Sequence, residues 1–249
     1  MVLSGISVDP EHQQACISVR IHTQQPHLSA ATLESSDPSS PILNINITAR
    51  CTASTQPSQP LTIEVSGLIL DAKHGDKLAQ GMLGGGLVRV HPPSPPKHVS
   101  LGFLRMHRAR QEGDDATDLR ERPGAAFLTV PPYDAAEEVT VTYELSRERL
   151  FRYADGLTAA DLSVGERYQL PLHEGYVGCN WWCWGRLDGK RPHCFEKGVL
   201  GEIDREVTGR EAPSEEERER EGWVIGEDRE QLEFAVKEDG GSCELEIVP

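Results

Sequence analysis

Residues able to do chemistry are densest in residues 175–195, which run GYVGCNWWCWGRLDGKRPHCF. This segment holds three of the four tryptophans and three of the six cysteines of the chain. Thiolate and imidazole groups are the ligands that zinc takes in tetrahedral protein sites. The segment therefore contains a candidate zinc site formed by Cys179, Cys183, His193 and Cys194.

The spacing of these candidate ligands leaves two interpretations open. Cys179 and Cys183 have three residues between them, as in the cysteine pairs of zinc sites. His193 and Cys194 are adjacent, and adjacent strand residues point to opposite faces, so a turn over residues 189–192 would have to bring them together. The alternative is that the cysteines are small buried thiols beside core tryptophans. No cofactor is expected, and zinc is kept as an alternative.

The aromatic residues of the same segment also allow two interpretations. In a strand, Trp181 faces opposite to Trp182 and Trp184. Aromatic side chains are mostly structural, which predicts Trp182 and Trp184 in the core, with Trp181 exposed or under a loop. In the alternative, an exposed Trp181 and Tyr176 form the aromatic wall of a pocket for a small molecule or carbohydrate.

Other motifs argue against several enzyme classes. The glycine run of residues 81–86 lacks the following Lys of a phosphate loop, and residues 87–90 have the pattern of a strand, where such a loop needs a helix. The sequence contains no Gly-x-Ser-x-Gly elbow, no His-Glu-x-x-His motif and no protein-kinase motif set. Whether the chain is an enzyme stays open at this point, and the motifs favour a non-catalytic role.

The elements around this segment are predicted to be mostly β-strands, because apolar and polar residues alternate in many short runs. Helix signals are few, namely Ser146, Thr158 and Ser214 as caps, the last before the charged run SEEERERE. Parallel sheets normally need crossover helices, so the sheets are expected to be antiparallel, and the last two strands are expected to form a closing hairpin. The predicted inward residues are Ile17, Val19 and Ile21; Leu43, Ile45, Ile47 and Ala49; Ile63 and Val65; Val139, Val141, Tyr143 and Leu145; Tyr168, Leu170 and Leu172; Leu232, Phe234 and Val236; Cys243, Leu245 and Ile247.

Charge and composition restrict the partners. The net charge is −15, and from Glu196 onward 18 acidic residues stand against 7 basic ones. Residues 89–110 contain basic residues and no acidic ones, so this stretch is positively charged. It is interpreted as a solvated face, with an anion site as the alternative. Five cations on so acidic a chain predict no nucleic-acid partner. Without a signal-like start or an 18-residue apolar run, we expect a cytoplasmic protein with free thiols and no membrane partner. The basic stretch comprises Arg89, Lys97, Arg105, Arg108, Arg110, His91, His98 and His107.

Three parts of the sequence resemble uncharacterised intracellular proteins of filamentous fungi. They are the strand from Thr140 to Leu145, residues 162–170, and the pair Trp181 and Trp182 with the glycine that follows at 185. The resemblance covers the middle third of the chain and implies an immunoglobulin-like β sandwich, with no catalytic residues to transfer. This chain differs by its acidic insertion after Thr208 and by the cysteines around its tryptophans, Cys179, Cys183 and Cys194.

Together these observations predict one mainly β domain over residues 1–249, an antiparallel immunoglobulin-like sandwich with long loop insertions. Residues 209–221 are predicted to form a charged helical or disordered insertion. The predicted function is a non-catalytic cytosolic binding or interaction protein with an unknown protein or small-molecule partner. The alternatives are an enzyme or accessory protein of small-molecule (secondary) metabolism, whose pocket contains Tyr176 and Trp181, and a zinc-binding domain.

Overall fold

The structure is a computed structural model that describes residues 2–5, 8–34, 37–71, 86–102, 111–198, 211–236 and 240–249. Sixteen strands and three short α-helices lie in these ranges. The strands are β1 (Val2–Leu3), β2 (Ala15–Thr23), β3 (His27–Ser29), β4 (Pro41–Ser54), β5 (Leu61–Glu64), β6 (Gly86–His91), β7 (His98–Ser100), β8 (Phe127–Val130), β9 (Val139–Ser146), β10 (Arg167–Pro171), β11 (Gly178–Cys179), β12 (Trp181–Trp184), β13 (Arg191–Glu196), β14 (Trp223–Gly226), β15 (Leu232–Val236) and β16 (Ser242–Val248). The helices are α1 (Ala30–Leu33), α2 (Arg147–Phe151) and α3 (Glu215–Glu221).

The strands form three larger sheets and two strand pairs. The sheets have the orders β15-β2-β4-β9, β3-β16-β10-β6-β7 and β12-β5-β8, and the pairs are β13-β14 and β1-β11. The predicted mainly β class is confirmed. The expectation of purely antiparallel sheets is wrong, because β15 runs parallel to β2, β16 to β3 and β13 to β14. β15 and β16 lie far along the sequence from their parallel partners β2 and β3, whereas α3 lies between β13 and β14.

The alternating pattern places one face of each long strand in the core, as predicted. In β2 and β4, Ile21 lies opposite Ile47, and both side chains are buried. One buried cluster takes side chains from all three larger sheets, such as Ile47, Leu170 and Ile63. Burying an aliphatic side chain of this size contributes about 1.5–3 kcal/mol. This shared core holds the sheets, and therefore the residues on their outer faces, in fixed positions.

The predicted hairpin of the last two strands does not form. β15 is an edge strand of the four-stranded sheet beside β2, whereas β16 pairs with β10 and β3 in the five-stranded sheet. Both strands bury their alternate apolar residues, among them Phe234 and Leu245. The glycines at 240 and 241 allow a turn, but the two strands pair in different sheets and contribute to the same core.

The helix caps agree with the sequence signals. The Ser146 hydroxyl accepts a hydrogen bond from the amide of Arg149 at 3.2 Å at the start of α2. Ser214 and Glu217 form a reciprocal capping box at the start of α3, which occupies most of the predicted charged insertion. Residues 209 and 210 of that insertion lie outside the described residues. Within the described ranges, no helix is long and apolar enough to cross a membrane.

Candidate binding site

The chain bends at Asn180, directly before β12 begins. The side chains of the tryptophan segment pack in two separate clusters of buried residues, the main core and a smaller second cluster. From Asn180 onward the side chains alternate, with β12 antiparallel to β5. Trp182 and Trp184 face the main core, with ring centroids 5.5 Å apart in an edge-to-face arrangement. The Trp182 indole N–H also donates to the backbone carbonyl of Asp228 at 3.0 Å. These two tryptophans are structural, as the packing interpretation predicted.

Trp181 faces the other way and is also buried, with 2% of its surface exposed. It packs with Leu119 and Cys183 in a second, smaller cluster, and its indole N–H donates to the carbonyl of Phe195 at 3.3 Å. The sequence predicted Trp181 to be exposed or under a loop, and the structure shows that it is not exposed. Tyr176 is half-buried against the main core, so the structure does not bring the two residues into one aromatic wall. Alternation correctly indicated the opposite faces of β12, but a second layer, β13 and β14, covers the outer face.

The four candidate zinc ligands lie in different surroundings. Cys179 belongs to the main core, whereas Cys183 belongs to the second cluster, against which Cys194 packs. The Cys194 Sγ lies 3.9 Å from the His193 Nδ1. The centroid of the His193 ring lies 5.0 Å from the ring centroids of Phe195 and Trp223. Burial raises the pKa of Cys183 to about 12 and raises that of Cys179 as well. Among the described side chains, no group of three or more His, Cys, Asp or Glu is placed to hold a metal ion.

A group of charged side chains, centred on Asp118, lies at the edge of the second cluster. Asp118 is buried and accepts hydrogen bonds from Arg120 Nη2 at 2.9 Å and Arg191 Nε at 3.2 Å. Burial alone raises the pKa of Asp118, but the hydrogen bonds from these two arginines outweigh it and leave the pKa lowered. The Arg191 guanidinium also stacks over the Trp223 ring at 3.9 Å. This carboxylate is held ionised by its partners and joins β13 and β14 to the 3₁₀ turn Leu119–Glu121.

The basic stretch is only partly a solvated face. Arg89 is buried, and its Nη1 donates to the Glu166 carboxylate at 2.5 Å, so the expectation of solvent exposure is wrong for this residue. Lys97 donates to the same carboxylate at 2.8 Å. His91 and His98 are exposed. The other four residues of the stretch lie outside the described residues: Arg105, His107, Arg108 and Arg110.

The outer face of the four-stranded sheet carries a second set of polar residues, which the sequence interpretation did not select. Because β2 and β4 alternate, every inward Ile or Val has outward polar neighbours. Across the two strands, Ser18 lies opposite Arg50 and Arg20 lies opposite Thr48. Ser18 and Thr48 are buried although they are on the outward face. We call this surface the polar face, defined by Ser18, Arg20, His22, Asn44, Asn46, Thr48, Arg50 and Thr52.

A pocket of about 110 Å³ opens on the polar face. Arg20 spans it, with its Nε donating to the Thr48 hydroxyl at 2.9 Å and its Nη2 donating to Glu138 at 2.6 Å. Arg50 also borders the pocket, but its Nε is buried without a hydrogen-bond partner. The lining residues are Ser18, Arg20, Thr48, Arg50, Thr52, Glu138 and Gly240.

Two further atoms of the polar face are buried without a hydrogen-bond partner, the Nδ1 of His22 and the Oδ1 of Asn44. Burial lowers the pKa of His22, and the neighbouring positive charge of Arg20 lowers it further, so the neutral imidazole is favoured. The positive charge of the pocket therefore comes from Arg20 and Arg50. Buried polar atoms are normally paired, which makes their concentration on one sheet face informative.

A signal for this site was present in the sequence. Arg20 and Arg50 occupy the polar positions of two strands whose apolar positions were identified correctly. The alternation did not indicate the register between β2 and β4. That register sets Ser18 opposite Arg50, and it places Arg20 and Arg50 beside one pocket. No protein-family model matches the chain, and no curated protein matches it significantly.

Proposed function

We propose that this chain is a non-catalytic binding protein that holds a small polar ligand in the pocket of the polar face. The observation that carries the proposal is a pocket bordered by two arginines, Arg20 and Arg50, of which Arg50 also has a buried Nε without a partner within the described chain. Leaving a buried donor unsatisfied costs about 1–3 kcal/mol, so this position of Arg50 is a feature that the fold alone does not explain. A ligand anion in the pocket would supply a countercharge to its guanidinium.

Two of the buried carboxylates, Glu166 and Asp118, are not in the state of a general acid or base. A general acid or base exchanges a proton near the working pH. Glu166 and Asp118 each accept hydrogen bonds from two basic side chains, and both have a lowered pKa. They act as ionised structural groups, and both lie outside the pocket lining.

The proposal includes the architecture and the compartment that the fungal resemblance implies. We take the four-stranded and five-stranded sheets as the two layers of an immunoglobulin-like sandwich in a cytosolic protein. Support comes from the single core that takes Ile17 and Ile47 from one sheet and Leu170 and Leu245 from the other. An experimental structure tests the sandwich, and localisation of a tagged full-length protein tests the compartment.

A ligand panel with matched variants tests the binding function. Thermal-shift and NMR titrations would compare a neutral sugar, an amine, a carboxylate and a phosphate on the wild-type chain, on Arg50→Gln and on Arg167→Gln. Arg167 is a suitable control because it lies on β10, is about half exposed and pairs only loosely with Glu244 at 3.8 Å. Both variants remove one positive charge.

We expect at least one compound to bind the wild-type chain and Arg167→Gln, and to bind Arg50→Gln much more weakly. Circular dichroism spectra and melting temperatures establish that each variant is folded. Absence of binding by every class, or binding that is unchanged in folded Arg50→Gln, would reject the proposal.

A further inference from the structure

The groups around the pocket specify the chemistry of its ligand, an inference that rests on the binding function proposed above. Guanidinium groups are donors only, and Arg20 and Arg50 supply two of them. The Thr48 oxygen already accepts from Arg20, which leaves its hydroxyl hydrogen to donate outward. Ser18 adds a further hydroxyl group, whereas the Thr52 hydroxyl already donates to the Cys16 carbonyl at 3.4 Å. A surface so rich in donors is complementary to a ligand with several acceptor oxygens.

The charge of the pocket selects an anion. Among the described lining residues, two arginines and one glutamate, Glu138, give a net charge of +1. Glu138 pairs with Arg20 at 2.6 Å, so its negative charge is already directed to one of the two cations. Among the described residues, Arg50 forms no ion pair with a carboxylate. A ligand oxyanion in the pocket would supply a countercharge to its guanidinium.

The size of the pocket limits how much of the ligand it encloses. A volume of about 110 Å³ accommodates a few water molecules or one compact oxyanion group. Arginine forks match the oxygens of phosphate in two parallel hydrogen bonds. A phosphate group carries up to two negative charges and three free oxygens, more than a carboxylate offers.

We propose that the pocket binds a phosphate group, either as the free ion or at the end of a small phosphorylated metabolite. The phosphate lies between the guanidinium groups of Arg20 and Arg50, with the hydroxyls of Ser18 and Thr48 as further donors. The rest of a phosphorylated metabolite extends from the pocket into solvent.

Calorimetric titration at constant ionic strength tests this with four probes, namely inorganic phosphate, glycerol 3-phosphate, acetate and glycerol. We expect both phosphates to bind, acetate to bind at least about tenfold more weakly and glycerol not to bind. The tighter of the two phosphates identifies the free ion or the phosphorylated metabolite as the better ligand.

Variants of the full chain assign the binding to the pocket. Arg50→Gln should weaken phosphate binding by about tenfold or more, and Arg50→Lys by less, because lysine keeps the charge but not the fork. Glu138→Gln should strengthen it, because the lining gains net positive charge. Arg167→Gln should leave it unchanged. Ser18→Ala provides a second variant if Arg50→Gln does not fold, and it should also weaken binding.

The outcomes separate this inference from the function on which it rests. Arg50-dependent binding of a sugar, an amine or a carboxylate, without phosphate binding, overturns the phosphate assignment and retains the binding function. Phosphate binding that is unchanged in folded Arg50→Gln and in Ser18→Ala overturns the phosphate assignment at this pocket. If no probe in either panel binds in an Arg50-dependent way, both proposals fail.

Discussion

Arg89 and Glu166 form a buried ion pair, with Nη1 of the arginine 2.5 Å from Oε1 of the glutamate and side-chain exposures of 5% and 7%. The Glu166 carboxylate also accepts from Lys97 Nζ at 2.8 Å and from the Tyr168 hydroxyl at 2.7 Å. The pair joins β6 to the start of β10 in the five-stranded sheet. Two residues of the basic stretch therefore have a structural role.

Removal of the carboxylate charge should destabilise the protein strongly. We expect Glu166→Gln to lower the free energy of unfolding by about 3–5 kcal/mol, because Arg89 would remain buried without a counterion. Glu244→Gln is the control, since Glu244 is exposed and lies 3.8 Å from Arg167, and its cost should stay below about 1 kcal/mol. Urea denaturation measures both values, and equal costs would contradict the structural role of the pair.

Acid should remove the contribution of Glu166 to stability. Burial alone raises its pKa, but hydrogen bonds from Lys97, the Ser163 amide, Tyr168 and Arg89 lower it more, from 4.5 to about 2. A folded-state pKa below the unfolded value stabilises the protein above pH 4.5, and this stabilisation is lost as the pH falls from 4.5 towards 2. Unfolding free energies measured across this range should fall less steeply in Glu166→Gln than in the wild-type chain. Parallel curves would show that other groups dominate acid unfolding.

Trp181 should behave as a core residue. We expect Trp181→Ala to cost about 3–5 kcal/mol of stability, because it empties the second cluster and removes the hydrogen bond to the Phe195 carbonyl. Tyr133→Ala is the comparison, since Tyr133 is 45% exposed and its replacement should change stability by about 0.5 kcal/mol or less. Thermal or urea unfolding measures the difference. A stable, folded Trp181→Ala that had lost ligand binding would instead support the aromatic pocket.

The zinc hypothesis is decided by metal content. Cys179 and Cys183 lie in different clusters, so we expect protein purified without a His tag to contain clearly less than one zinc ion per chain. A chelator should leave the melting temperature unchanged. Elemental analysis of the wild-type chain and of Cys183→Ser makes the comparison. One zinc ion per chain that is lost in the variant would establish a metal site.

The sequence by itself determined the longest strands and the two faces of each. In β2, β4, β9 and β15 the apolar alternation identified the buried side, because successive side chains of a strand point to opposite faces. The same local rule separated Trp181 from Trp182 and Trp184. The caps at Ser146 and Ser214 followed from equally local hydrogen bonds.

Only the tertiary structure decided which strands became neighbours. Alternation cannot distinguish a hairpin of β15 and β16 from their separation into two sheets, because either arrangement buries the same apolar side chains. It likewise did not indicate that β13 and β14 cover Trp181. The pocket depends on the pairing of Ser18 with Arg50, residues that are 32 positions apart. Such a register results from the packing of the whole core, which no short stretch of sequence contains.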